Sequence, residues 1–455
     1  MDRRDFIRVF LLGGISILMP KFGYANGADL SKIEFSKRDY NAQTIIVYMY
    51  GGASSLAGNL TNIDEIKKHS QSSYGDYFGK ITKTTNGFWS EAGGEHLEKM
   101  LNNADMTIFR TCYSEIREKN GNKAHGLCTE QNQKAIFNTD NAAGIVTNIA
   151  NILEANGVVS SSSFMPFVTM EGDSNFYADG NLNTPSYLKA VGIDENFNNP
   201  YARAIWSVRN SLYYTNKERS NPNYYKSDKE GGFDPAFNAT IDRVALQNSD
   251  SGKIKDAFLK RGELAKFIDE IKSTQTPDLG DDNYPQNNGF AKKLEAAIKI
   301  VQKNPDTKII TLGTGGLGGW DDHNSAKSYV SRSNALFRAL RSAVAHLKAI
   351  NKINEVNIML FAEFGRNVNL NSANGWDHGN LQNLYIFGGK GYFNHKGVVG
   401  ETKLDVTGKV NRLWLKPKDG TYWFEPLAIG ATIYKIYGID NPQVLTGGYG
   451  EIDIF

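Results

Sequence analysis

The chain has 455 residues, with 51 basic and 49 acidic side chains and a formal net charge of +2. No clustered basic stretch accompanies that balance, so neither a nucleic-acid nor a polyphosphate partner is expected. Aromatics are abundant (22 Tyr and 24 Phe) and Pro is sparse at 12, an ordered globular composition rather than a disordered one.

The opening MDRRDFIRVFLLGGISILMPKFGYANGADL carries paired Arg3 and Arg4, an apolar run from Val9 to Met19, and small residues near Ala25. That order is the one of an export signal, and twin arginines followed by Phe6 point to the route that carries folded proteins. The apolar core is too short for a spanning helix of roughly 20 residues. Cleavage near Ala25 removes Arg3, Arg4, Arg8 and Lys21 with Asp2 and Asp5, leaving 47 charges of each sign. The expected organisation is therefore a twin-arginine signal over 1–28 and a soluble, periplasmic or secreted body with no membrane segment. A single domain over 40–455 is expected, with an irregular insertion at about 171–285.

Along the body, TIIVYMYGG (Thr44–Gly52) reads as a buried strand feeding a loop. Asn59–Gly94 is polar and turn-rich and is expected to run over the surface. MTIFRTCYS (Met106–Ser114) is a second strand, and a helix starts at about His125. SFMPFVTM (Ser163–Met170) is a third strand. From Glu171 to Asp250 periodicity is weak, so short helices and a cap over the site are expected. Amphipathic helices follow at Ile254–Ile271 and Phe290–Val301. The loop between them carries Asp281 and Asp282, expected to be solvated. KIITLGTGG, a helix over Ser325–Ile350, NIMLFAEFG, LYIFGG and a helix around Leu427–Tyr437 complete the chain. Strands alternating with helices of this length predict a mostly parallel sheet covered on both faces. Ligands of such sheets sit beyond the carboxyl ends of the strands.

Asp321, His323, Glu363, Asp377 and His378 fall where predicted strands hand over to loops. Carboxylates and imidazoles are the donors that Zn, Mn or Ca sites use. Asp321 and His323, two apart, point to one side of an extended segment; the competing reading is a helix-capping turn, to which Asp322 is assigned. Glu363 at the end of an apolar strand needs a metal or a partner such as Arg366. Arg366 is also suited to steady a substrate oxyanion. Adjacent Asp377 and His378 diverge, so they serve two ions, or one orients the other. His125 stands before a helix, suited to binding or orienting an anion, and Thr129 or Cys128 offers a nucleophile. Cys112 and Cys128 leave a disulfide and two free thiols both open.

RRDFIR, VYMYGGASS (Tyr48–Ser55), AHGLCTEQ (Ala124–Gln131), GGWDDH (Gly318–His323), AEFGR (Ala362–Arg366) and GWDHG (Gly375–Gly379) together resemble the exported bacterial family called domain of unknown function 1501. That family is a twin-arginine-exported branch of the alkaline phosphatase and sulfatase superfamily. The resemblance implies an α/β/α sandwich with divalent ions (Zn, Mn or Ca) at the carboxyl ends of the sheet. It implies Asp321, His323, Glu363, Asp377 and His378 as counterparts of the metal ligands. Two departures stand out. GGASSLAGN has no acid after the first Gly-Gly, only Ser54 and Ser55, and Ala124 stands where many relatives carry Ser.

The expected function is a metal-binding phosphate- or sulfate-ester hydrolase with His125, Thr129 and Arg366 in catalysis, acting on a small-molecule or glycan anionic ester. The alternative is a catalytically degenerate relative with a binding or envelope-assembly role.

Overall fold

The computed structural model describes residues 32–69, 74–197, 266–406 and 413–455. The export segment, most of the Tyr- and Asn-rich stretch and most of the expected Ile254–Ile271 helix lie outside those residues. The chain divides into two compact units, one running up to 192 and from 276 onward, the other from 193–275. The second is described at 193–197 and 266–275, and 266–273 is helical.

In the first unit the strands are β1 (Gln43–Met49), β2 (Met106–Tyr113), β3 (Phe167–Thr169), β4 (Val191–Gly192), β5 (Ile309–Gly313), β6 (Val356–Ala362), β7 (Gly365–Arg366), β8 (His378–Gly379), β9 (Leu381–Gly388), β10 (Gly397–Val399), β11 (Thr402–Asp405) and β12 (Trp414–Pro417). Eight form one sheet in the order β10-β2-β9-β6-β1-β5-β3-β4, while β7–β8 and β11–β12 pair separately. β1 lies between β5 and β6, parallel to both. β9 alone runs against its neighbours β2 and β6. The fold is a layered α/β structure around a mostly parallel sheet.

All seven residues of β1 are buried, as a central parallel strand requires. Ile46 and Tyr48 enter a core with Ile145, Ile149 and Ile152 of the helix Ile145–Ala155 and with Ile429 and Ile433 of the helix Leu427–Ile436. Ile45, Val47 and Met49 turn to the opposite face by strand alternation. There Met49 borders the same small interior space as Leu336 and Phe337 of the helix Tyr329–Ala349. Each such aliphatic side chain contributes about 1.5–3 kcal/mol by leaving water.

Three expectations need correction. Asn59–Gly94 is no surface excursion: Leu60, Ile63, Ile66, Phe88 and Trp89 are buried in it, and a helix spans Ile63–His69. Its apolar residues are too widely spaced to show a period, yet they cover the sheet's flank. Asp282 is not merely solvated, since Arg341 pairs with it. The helix expected from Ser325 starts at Tyr329, with Ser328 making no side-chain cap. Cys112 and Cys128 are both free and buried. No helix among the described residues is long and apolar enough to cross a membrane.

Candidate metal centre

One rim of the sheet collects the acidic and histidine residues because of strand direction. β1 delivers Tyr50–Gly52, β5 leads into the Asp321 loop, and β6 ends beside Glu363. β9 is reversed, so its start rather than its end lies on that rim, and His378 just precedes it.

His125, Asp321 and His378 place one ligand atom each within 4.8 Å of one another. His378 Nδ1 lies 2.7 Å from the carbonyl of Lys123. A carbonyl only accepts, so Nδ1 carries the proton and Nε2 presents its lone pair. His125 is fixed the same way: its Nδ1 donates to Glu363 Oε1 at 2.9 Å, and its Nε2 lies 3.6 Å from Asp321 Oδ2. Two imidazoles, each oriented from behind through Nδ1, leave their Nε2 atoms without the proton, and one ligand atom of each ring lies within 4.8 Å of an Asp321 oxygen. That is the arrangement by which proteins fix histidines for a cation. Burial, reinforced by the Arg366 charge, pushes the His378 imidazole down to about 4, so near neutrality it is in the metal-binding form.

Glu363 therefore stands behind His125. Its Oε1 also accepts from Gly51 N at 2.8 Å, and its side chain is 1% exposed. Its Oε2 is buried with no hydrogen-bond partner among the described residues. Asp321 is held by Arg366 Nη2 at 2.7 Å. Burial alone would raise its carboxyl, but the Arg366 hydrogen bond and charge outweigh that and hold it below the usual range.

The five expected carboxylate and imidazole residues do not enclose one point. His323 and Asp377 form a neighbouring pair, Nδ1 to Oδ1 at 3.4 Å. Asn371 ties that pair by donating to the His323 carbonyl at 2.8 Å and to Asp377 Oδ1 at 3.3 Å. The His323 and His378 rings are 5.9 Å apart, so the pair adjoins the first group.

Arg366, expected to face a substrate oxygen, is fully buried. Nε donates to the Gly52 carbonyl at 2.7 Å and Nη1 to the Trp376 carbonyl at 2.9 Å, while Nη2 reaches Gly51. Those contacts, with Asp321, leave no free edge for substrate. Asp322, read as a helix cap, instead meets Arg332 Nη2 at 2.7 and 2.5 Å, and both side chains are buried. Thr129 lines a separate cleft with Tyr50 and Gln133. Ser54 and Ser55 are buried, and Ser54 borders the interior space near Trp320 and Tyr329.

Sequence reading missed Arg117, which sits in a stretch that looks like a polar turn. It is 2% exposed and donates from Nη1 to the Glu363 carbonyl at 2.8 Å and from Nη2 to Asn132 at 2.7 Å. Asn132 also donates to the Glu363 carbonyl, at 3.0 Å. Together they fix the strand end from which Glu363 reaches His125.

Gly51 has φ +112°, and a Cβ there would lie 2.4 Å from Asp321 N and 2.7 Å from Trp320 C. Both are backbone atoms, and the two loops are joined by Trp320 N donating to Tyr50 O at 3.0 Å. Gly51→Ala is therefore expected to cost at least about 2 kcal/mol and to displace Asp321. Thermal unfolding and bound-metal content report both effects. Ala124 is the N-cap of the helix His125–Lys134 and makes no capping bond. Ala124→Ser should stabilise the fold by about 1 kcal/mol in urea titration.

Residues 229–447 match the family described as "Protein of unknown function (DUF1501)". The matched segment holds Asp321, Glu363 and His378, while His125 and the Gly51 turn precede it. A search of curated proteins gives no match. Among solved structures the chain is similar to Ps i-CgsB in complex with k-i-k-neocarrahexaose, at 10% identity and TM-score 0.35, covering 91% of this chain and 75% of that one. It is also similar to alkaline phosphatase from the Antarctic bacterium TAB5 (13% identity, TM-score 0.36, 88% and 99% covered). A third is the phosphonate monoester hydrolase SpPMH from Silicibacter pomeroyi (13%, TM-score 0.30, 91% and 78%). The layered α/β architecture of this chain follows from its own sheet order rather than from these likenesses.

Proposed function

We propose that this protein is a metal-dependent hydrolase of phosphate or sulfate esters, of the alkaline phosphatase and sulfatase type, exported by the twin-arginine route to the periplasm or beyond. One observation carries the hydrolase reading: two histidines, each anchored through Nδ1, come with Asp321 to within 4.8 Å of one another, ligand atom to ligand atom, at the rim of a mostly parallel sheet. His125, Asp321 and His378 would hold one divalent ion, Zn, Mn or Ca. The neighbouring His323 and Asp377 are placed to hold a second or to orient what the first holds. A bound ion would polarise the ester and offset charge developing on its oxygens. Glu363 keeps His125 in the tautomer that binds, and Arg366 holds Asp321 in place rather than touching substrate.

A second reading has its own support. Ala124 brings no hydroxyl to the turn beside His125, and the GGASSLAGN stretch offers no acid as another ligand. Under it the protein binds a ligand or serves envelope assembly without turnover. Aryl phosphate, phosphodiester and aryl sulfate substrates, each assayed with Zn, Mn and Ca, separate the two. Metal-dependent turnover supports the hydrolase; bound metal without turnover of any of the three favours the second reading.

A further inference from the structure

A cleft of about 520 Å³ opens beside the helix that carries His125. Thr129 and Gln133 of that helix form one wall, roughly 6 and 12 Å along the axis from His125 at 1.5 Å per residue. Tyr50 forms another, directly before Gly51, whose amide is tied to Glu363. Cleft and candidate metal centre therefore share a helix and a strand end.

The lining selects a chemistry. Gln133 is a fixed strut: it donates to Tyr50 Oη at 2.9 Å and accepts from Asn175 N at 3.0 Å. Asp173 and Asn175 line the cleft with side chains that make no hydrogen bond to the described residues. Lys189 is already paired with Asp179 at 2.8 Å. An anionic group here would face the exposed carboxylate of Asp173, while the one lysine of the lining is already neutralised by Asp179, an arrangement that repels it. A purely apolar ligand would strip water from Asp173 and Asn175 without replacing it, at about 1–3 kcal/mol for each group left unpaired. A neutral ligand rich in hydroxyls escapes both penalties. Val146 and Leu188 offer its C–H faces an apolar surface, the mixture typical of small-molecule sites. At ~30 Å³ per water the cleft holds roughly 17 waters' worth of ligand, the scale of one or two sugar rings.

We propose that this cleft seats the neutral, polyhydroxylated part of a sugar ester whose anionic group meets His125, Asp321 and His378. The assignment rests on the hydrolase reading above, but its test does not require turnover. Saturation-transfer NMR on the full chain would use methyl β-galactopyranoside and methyl α-glucopyranoside, with cyclohexanol as the control. Samples would be run with chelator and with zinc, and metal uptake measured in parallel. At least one glycoside is expected to bind and cyclohexanol not to, equally with and without the ion. A D173A/N175A double variant should weaken that binding at least tenfold, and Ala190→Trp, at the cleft lining, should abolish it, with thermal unfolding confirming that both fold. Equal binding of cyclohexanol, no glycoside binding, or binding that survives both variants overturns the assignment. Metal uptake without glycoside binding removes the cleft's role and leaves the hydrolase reading standing; glycoside binding without metal uptake does the reverse.

Discussion

Asp321→Ala and His378→Ala proteins will bind at least about a hundredfold less zinc or manganese than the wild type in equilibrium dialysis. Each removes one of three donors converging within 4.8 Å. The remaining pair is too few for a site in which protein ligands normally number three or four. Glu363→Gln should give an intermediate result. The amide keeps a hydrogen-bond acceptor near His125 Nδ1 and near Gly51 N, but it lacks the charge that raises imidazole basicity. Losing such an orienting partner typically costs about 10–100-fold in affinity. His323→Ala distinguishes one ion from two, because its partner Asp377 lies outside the three-donor group. Unchanged metal content in both Asp321→Ala and His378→Ala would remove the ion from this rim altogether.

Much of this rim is legible in the sequence because β-branched runs ending in glycine and acid are local patterns. β1, β5 and β6 lie where the apolar runs placed them, Glu363 directly follows β6, and Asp321 lies in the loop after β5. Strand polarity is not local. Nothing in LYIFGG announces that β9 runs backwards, and only that reversal brings His378 onto the rim. Division of labour is also hidden. Glu363 and His125 are 238 residues apart in sequence, so no spacing rule could show that the carboxylate backs the imidazole rather than joining the three-donor group. Arg117 escapes notice for a related reason: charged residues in a turn-rich stretch read as solvated, whereas this one is buried among carbonyls. The same blindness makes Asp322 a cap and not half of a buried ion pair with Arg332.

Arg366→Met is expected to lower unfolding free energy by about 4 kcal/mol, because this guanidinium has no substitute in the fold. It satisfies the carbonyls of Gly51, Gly52 and Trp376 while gripping Asp321, and its side chain is wholly buried. Each buried carbonyl left unpaired costs about 1–3 kcal/mol. Asp321 adds less, since its side chain is 54% exposed and water can replace the lost donor. Arg366→Lys should recover only part of the loss. An ammonium is a point donor and cannot span three carbonyls and a carboxylate with the planar fork that Arg supplies. A loss of about 4 kcal/mol is a large fraction of the roughly 5–15 kcal/mol that folded proteins possess, so urea denaturation at equilibrium measures it readily. Metal affinity should fall about tenfold in the lysine variant, as Asp321 loses its anchor. If Arg366→Met unfolds within about 1 kcal/mol of the wild type and keeps its metal, then Arg366 neither binds these loops together nor places Asp321. The carboxylate's position would then depend on the Gly51 turn alone.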